Sequence, residues 1–100
     1  MIKHIVIFKF KPEATQAQKE EIVEAYNNIP KAIPQAKVFA AMLKAPDCKC
    51  THEFGILSEF PSVEELLAYQ SHPAHQAMVA RIKEGGVVDT TATSSFDYEA

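Results

Sequence analysis

Strand-like runs and helix-start signals alternate twice along this chain, and that order restricts the available folds more than any single residue does. Ile2 to Phe10 (IKHIVIFKF) is rich in β-branched and aromatic residues and stops before Pro12. Thr15 with Gln18 three residues later makes a capping-box pattern. Ile22, Tyr26 and Ile29 then recur at i, i+4 and i+7, with Ala25 beside them, which is the spacing of one buried helical stripe. Pro30 and Pro34 are expected to end that helix. Ala36 to Lys44 (AKVFAAMLK) reads as a second strand, and Ala45 to Thr51, with Pro46-Asp47, as a turn. The unit then repeats. His52 to Phe60 (HEFGILSEF) alternates as a third strand, and Ser62 with Glu65 forms a second capping-box pattern before a helix over Val63 to Ser71 that carries Leu66, Leu67 and Tyr69. His72 precedes a proline and is pushed out of helical geometry, while Pro73 suits the first position of a new helical segment. Ala74 to Glu84 continues that segment with Ala77, Met78 and Ile82 inward, and Gly85-Gly86 caps it. The last strand falls within Val87 to Tyr98, centred on Ala92 to Tyr98.

The order β-α-β-β-α-β predicts an α+β, ferredoxin-like protomer with a four-stranded antiparallel sheet, formed as a single domain over residues 1–100. Helices on one side of such a sheet leave its other face bare. In the first strand Lys3, Ile5, Ile7 and Lys9 share one face, and His4, Val6, Phe8 and Phe10 share the other, so both are substantially apolar. We expect the second set, with Phe54 and Ile56, to form the bare face, and two copies to cover it by packing sheet to sheet as a homodimeric α/β barrel.

Composition narrows the partners. A formal net charge of -3 gives no cationic face for nucleic acid. No apolar run approaches the roughly 20 residues that cross a bilayer, and the charged start MIKHIVIFKFK does not read as a signal peptide, so no membrane partner and a cytoplasmic location are expected. Cys48 and Cys50 are too close in sequence to bridge readily and read as reduced thiols. A metal site from Cys48, Cys50 and His52 is the alternative, but it lacks Cys-x-x-Cys spacing and a second ligand pair; we expect no metal. No Gly-rich phosphate loop or Ser/Cys nucleophile motif is present, and no cofactor is expected.

The residues that carry chemistry cluster around SHPAH. His75 falls in the first turn of a helix, where the positive dipole end disfavours imidazolium and leaves a neutral ring able to act as a general base. Tyr69 lies about a turn and a half earlier, and the joint at Pro73 allows its hydroxyl to approach His75 and to hydrogen-bond a developing enolate. His4 adds a polar group to an otherwise apolar strand face. Each has a plainer reading: His72 as a turn or capping residue, His75 as a hydrogen bond at the joint, Tyr69 as core, and His4 as a satisfied buried histidine.

The segments MIKHIVIFKFKPEATQAQKEEI, EFPSVEELLAYQSHPAHQAMV and FDYE resemble the stress-responsive dimeric α/β-barrel (Dabb) family over nearly the whole chain, with His4 and the His72-Pro73-Ala74-His75 run as the most specific marks. The resemblance implies a ferredoxin-like protomer and a dimeric barrel. Its best-understood catalyst, a plant polyketide cyclase, closes a poly-β-keto thioester by intramolecular aldol condensation without a cofactor. The cyclase's working residues match His4, Tyr69 and His75 here; a further cyclase histidine falls at Phe54, and His52 lies two residues earlier. The candidate catalytic set is therefore His4, Tyr69 and His75, with Val6, Phe8, His52, Phe54 and His72 as candidate ligand contacts. Three functions are open: binding a small apolar or carbonyl-bearing ligand in a stress-related barrel, cyclase-like catalysis with His75 as base, and a structural stress protein forming higher assemblies.

Overall fold

Both helix-start signals form. In a computed structural model of the chain, which describes residues 1–36 and 38–100, the Thr15 hydroxyl accepts from the Gln18 N–H at 3.2 Å and the Gln18 side chain accepts from the Thr15 N–H at 2.9 Å. Ser62 makes its half of the second box, accepting from the Glu65 N–H at 3.2 Å. The elements follow as β1 (Ile2–Phe10), α1 (Gln16–Asn27), α2 (Ile29–Ala32), β2 (Val38–Leu43), β3 (Phe54–Phe60), α3 (Val63–Ser71), α4 (Pro73–Gly85) and β4 (Val88–Glu99). Pro30 does not end the helical path. It sits in the first turn of α2, where a missing N–H costs nothing. The expected start of β2 runs through Lys37, which lies outside the described residues; β3 begins two residues later than expected and β4 begins earlier. Gly86 ends α4 with a left-handed backbone, φ 67°, which glycine adopts without a steric penalty.

The four strands pair antiparallel in the order β2-β3-β1-β4, giving the ferredoxin-like α+β protomer. Asn27, the last residue of α1, fastens the outer edge of β2: its side chain accepts from the Ala41 N–H at 2.9 Å and donates to the Ala41 carbonyl at 3.0 Å. Among the described residues no helix is long and apolar enough to cross a membrane.

The two faces of the sheet are the reverse of the expected assignment. Ile2, His4, Phe8 and Phe10 of β1 and Phe54, Ile56 and Phe60 of β3 are buried beneath the helices, with Tyr26 of α1, Leu66 and Tyr69 of α3, and Met78 and Ile82 of α4. The bare face instead carries Ile5 and Ile7 with Val38, Met42, Leu57, Phe96 and Tyr98; Leu57 is 46% exposed and Phe96 65%. Charge and area account for the swap. The bare face includes Lys3, Lys9 and Glu59, and Lys3 pairs with Glu59 across it, whereas the covered face concentrates the phenylalanines, whose burial removes more apolar surface from water. Ala77, expected to point inward, is exposed one position off its buried stripe, and Leu67 is likewise exposed beside the buried Leu66.

Phe60→Ala, which empties a fully buried position, should cost about 3–5 kcal/mol of unfolding free energy in urea titrations. Leu67→Ala, at an exposed one, should stay within about 0.5 kcal/mol of the parent. Equal losses at the two positions would contradict the burial pattern.

Candidate functional site: a histidine-lined cavity under the helices

Between the covered face of the sheet and α4 lies a cavity of about 250 Å³, walled by Val6, Phe8, Ile56, Val79 and Ile82 and carrying His4, Tyr26, Tyr69 and His75 among its polar lining. The volume is slightly below the roughly 300–1,000 Å³ of ordinary small-molecule pockets, and the pattern of apolar walls with a few convergent polar groups is theirs.

The α3–α4 joint builds the histidine end. His72 has extended backbone (φ -64°, ψ 139°) and its Nδ1 accepts from the Ala74 N–H at 3.0 Å, so it caps α4 and does not line the cavity. His75, in the first turn of α4, reaches back to the last turn of α3, where its Nδ1 lies 3.0 Å from the Gln70 carbonyl oxygen. A carbonyl only accepts, so Nδ1 carries the proton and Nε2 keeps its lone pair. Burial lowers the His75 pKa from its usual 6.5; the Gln70 bond opposes the shift, and the nearby His4 adds to it. The ring is thus neutral near pH 7, and Nε2 has no protein partner among the described residues. The Tyr69 ring stands 4.6 Å from the His75 ring, centroid to centroid. Burial drives the Tyr69 hydroxyl well above the ordinary tyrosine range, and burial followed by the neighbouring Tyr69 does the same to Tyr26. Both phenols therefore remain hydrogen-bond donors.

His4 is the third residue of β1, 6% exposed, with its ring 6.4 Å from that of Tyr69. Its cross-strand neighbour is Asp97 on β4, whose carboxylate accepts from His4 Nδ1–H. That bond orients the ring and occupies Nδ1, leaving Nε2 as the ring nitrogen without a partner in the hydrogen bonds found among the described residues.

The structure brings five of the candidate residues, His4, Tyr69 and His75 with Val6 and Phe8, to the lining of one cavity, on the covered face and not the bare one. It does not bring in the other three. Phe54 is packed into the core at 2% exposure, His72 caps α4, and His52 precedes β3 and turns its Nε2–H to the Ala92 carbonyl at 3.0 Å. Sequence reasoning missed Asp97, Tyr26, Thr90, Thr93 and Lys83. The FDYE segment had drawn notice, but Asp97's partnership depends on the register between β1 and β4. Cys48 and Cys50 are free and exposed, and among the described residues no three His, Cys, Asp or Glu side chains group as a metal site.

Fold and cavity together define a ferredoxin-like α/β protein with a ligand-sized, histidine-lined pocket between its sheet and helices. The chain belongs to the stress responsive A/B barrel domain (Dabb) family, whose model matches residues 2–99. It is 37% identical over 78 residues to olivetolic acid cyclase of Cannabis sativa, covering 74% of this chain and 75% of that one. Among solved structures, a dimeric ferredoxin-like protein of unknown function from Thermobifida fusca superimposes with a TM-score of 0.81 at 25% identity, covering 99% of this chain and 90% of the other. A hydroxynitrile lyase from Passiflora edulis shares the fold with a TM-score of 0.77 at 21% identity, covering 97% and 90%.

In NMR titrations the His75 ring should show a midpoint below 6.5. The sign for stability follows. Between pH 6.5 and the lower folded value the unfolded chain binds the proton and the folded chain does not, so His75 contributes a loss of stability as the pH falls through that window. His75→Gln should flatten that part of the stability profile; a midpoint above 6.5 would contradict the tautomer and burial described here.

Proposed function

We propose that this protein is a cofactor-free acid–base catalyst acting on a small activated carbonyl compound held in the cavity, and that it works as a homodimer. The observation that carries the reading is the unpartnered, neutral Nε2 of His75 beside a tyrosine whose phenol stays protonated, inside a largely apolar cavity. His75 Nε2 takes the proton from the carbon next to the carbonyl, and Tyr69 donates a hydrogen bond to the enolate oxygen that results. The enolate carbon attacks a second carbonyl of the same molecule, forming the carbon–carbon bond, and the alkoxide recovers the proton from the His75 imidazolium. His4, held by Asp97, hydrogen-bonds an oxygen of the ligand through Nε2. The 37% identity to olivetolic acid cyclase supports this assignment. The open cavity, with Phe8 as wall, weighs against a purely structural role in assembly.

The homodimer rests on the bare face of the sheet. Its Ile5, Ile7, Val38, Met42, Leu57, Phe96 and Tyr98 make one contiguous apolar surface of the kind that soluble monomers seldom leave in water. The dimeric Thermobifida fusca relative supports the same reading.

With a poly-β-keto thioester as substrate, His75→Ala should lower kcat by about 10²–10⁴, and Tyr69→Phe by about 10²–10³. The kcat/KM profile should fall as the pH drops below 6.5, where the base takes up its proton. Unchanged turnover in His75→Ala would remove it from the base role. Separately, the chain should sediment as a dimer at micromolar concentration, and Leu57→Glu should convert it to monomers by placing a charge in the apolar interface. A wild-type monomer under those conditions would end the dimer reading.

A further inference from the structure

The far end of the cavity has a different chemistry. Lys83 lines it together with Thr90 and Thr93. Lys83 lies eight residues beyond His75 on α4, about 12 Å along the helix axis. The cavity is therefore a slot with His4, Tyr69 and His75 toward one end and a lysine with two threonines toward the other, joined by Val79 and Ile82 on α4 and by apolar strand residues, with Tyr26 packed against Phe8. Lys83 is in none of the ion pairs found among the described residues. The last turn of α4 favours a cation there but supplies no counter-charge inside the slot.

The threonines come from an irregularity in β4. Pairing with β1 passes from Ile7 opposite Ser94 to Lys9 opposite Asp89, so β4 advances five residues while β1 advances two. The surplus arches out of the ladder. His52 holds the arch by donating from Nε2 to the Ala92 carbonyl at 3.0 Å, and the Thr51 hydroxyl lies 2.9 Å from its Nδ1. Asp89 holds the other side, accepting from the Thr91 N–H at 3.0 Å and the Thr91 hydroxyl at 2.6 Å; those two bonds keep its carboxyl below the usual range. The Asp89 carboxylate is thus bonded within the arch and is not paired with Lys83. The Thr90 and Thr93 hydroxyls have no protein partner among the described residues.

We propose that this end binds the anionic oxygen terminus of an elongated ligand, a carboxylate or a phosphate, with Lys83 as its counter-ion and Thr90 and Thr93 as donors, about 12 Å from the carbonyl that reacts at His75. This deepens the catalytic reading of the same cavity and rests on it for the reacting end only. A cation at the mouth of an apolar slot selects for a ligand that is apolar along its length and negative at one tip.

Calorimetric titration of the full chain with octanoate, octyl phosphate and 1-octanol tests this without turnover. At least one of the two anions should bind roughly tenfold or more tightly than the neutral alcohol. Preference for octanoate identifies a carboxylate ligand, and preference for octyl phosphate a phosphate-bearing one. Lys83→Met, which keeps the apolar stem, should bring anion and alcohol to equal affinity while leaving the alcohol's own affinity unchanged; Lys83→Arg should retain the preference. The affinities are read without turnover, so loss of anion preference in Lys83→Met and loss of turnover in His75→Ala are separate results. An anion preference that survives Lys83→Met, or no binding of any of the three at millimolar concentration, would overturn the proposal.

Discussion

Everything in this protein depends on one aromatic seam between sheet and helices. Phe8 and Phe54, paired across β1 and β3, stack with ring centroids 5.2 Å apart; Tyr26 closes on Phe54 at 5.4 Å and Tyr69 on Phe60 at 5.0 Å. Such contacts add their own geometric preference to the burial of large apolar area. Tyr26 and Tyr69 belong at once to the core and to the cavity wall. Their phenols are therefore positioned by the same packing that holds α1 and α3 on the sheet. A group fixed in this way does not need to reorganise when charge develops nearby, the condition under which a hydrogen-bond donor contributes most to a reaction.

Within that frame, two histidines three residues apart meet opposite fates. Pro73 breaks the helix between them. His72, on the extended side of the break, spends its ring nitrogen on the Ala74 N–H. His75, on the helical side, donates to the Gln70 carbonyl that the end of α3 leaves without a helical partner, which also accepts from the Gln76 side chain. The capping needs of two helix ends thereby decide which nitrogen of each ring is occupied, and only His75 is left with a basic nitrogen turned to the cavity.

The element order, the Thr15 box and the proline joint were legible in the sequence because each depends on residues close together in the chain or on strand alternation, whereas the set His4, Tyr69 and His75 came from the family resemblance. The faces of the sheet were less so, since both sides of β1 are apolar and alternation alone cannot rank them. The deciding signal was present: Lys3, Lys9 and Glu59 mark the side that remains uncovered in the protomer. Asp97 was hidden for another reason, because its contact with His4 spans 93 positions and depends on a register that no local pattern encodes. His52 falls two residues before β3, where strand alternation no longer governs the direction of the side chain, and the arch that receives it leaves no local mark in a run of threonines and alanine.

That arch bears on more than the cavity. β4 is an outer strand of twelve residues, long enough to template a foreign strand along its free side. Between Asp89 and Ser94 the chain leaves the regular ladder, and a visiting strand would find no continuous row of amides and carbonyls to match. The device that shapes one end of the pocket thus also blunts the rim of the sheet against runaway edge-to-edge growth.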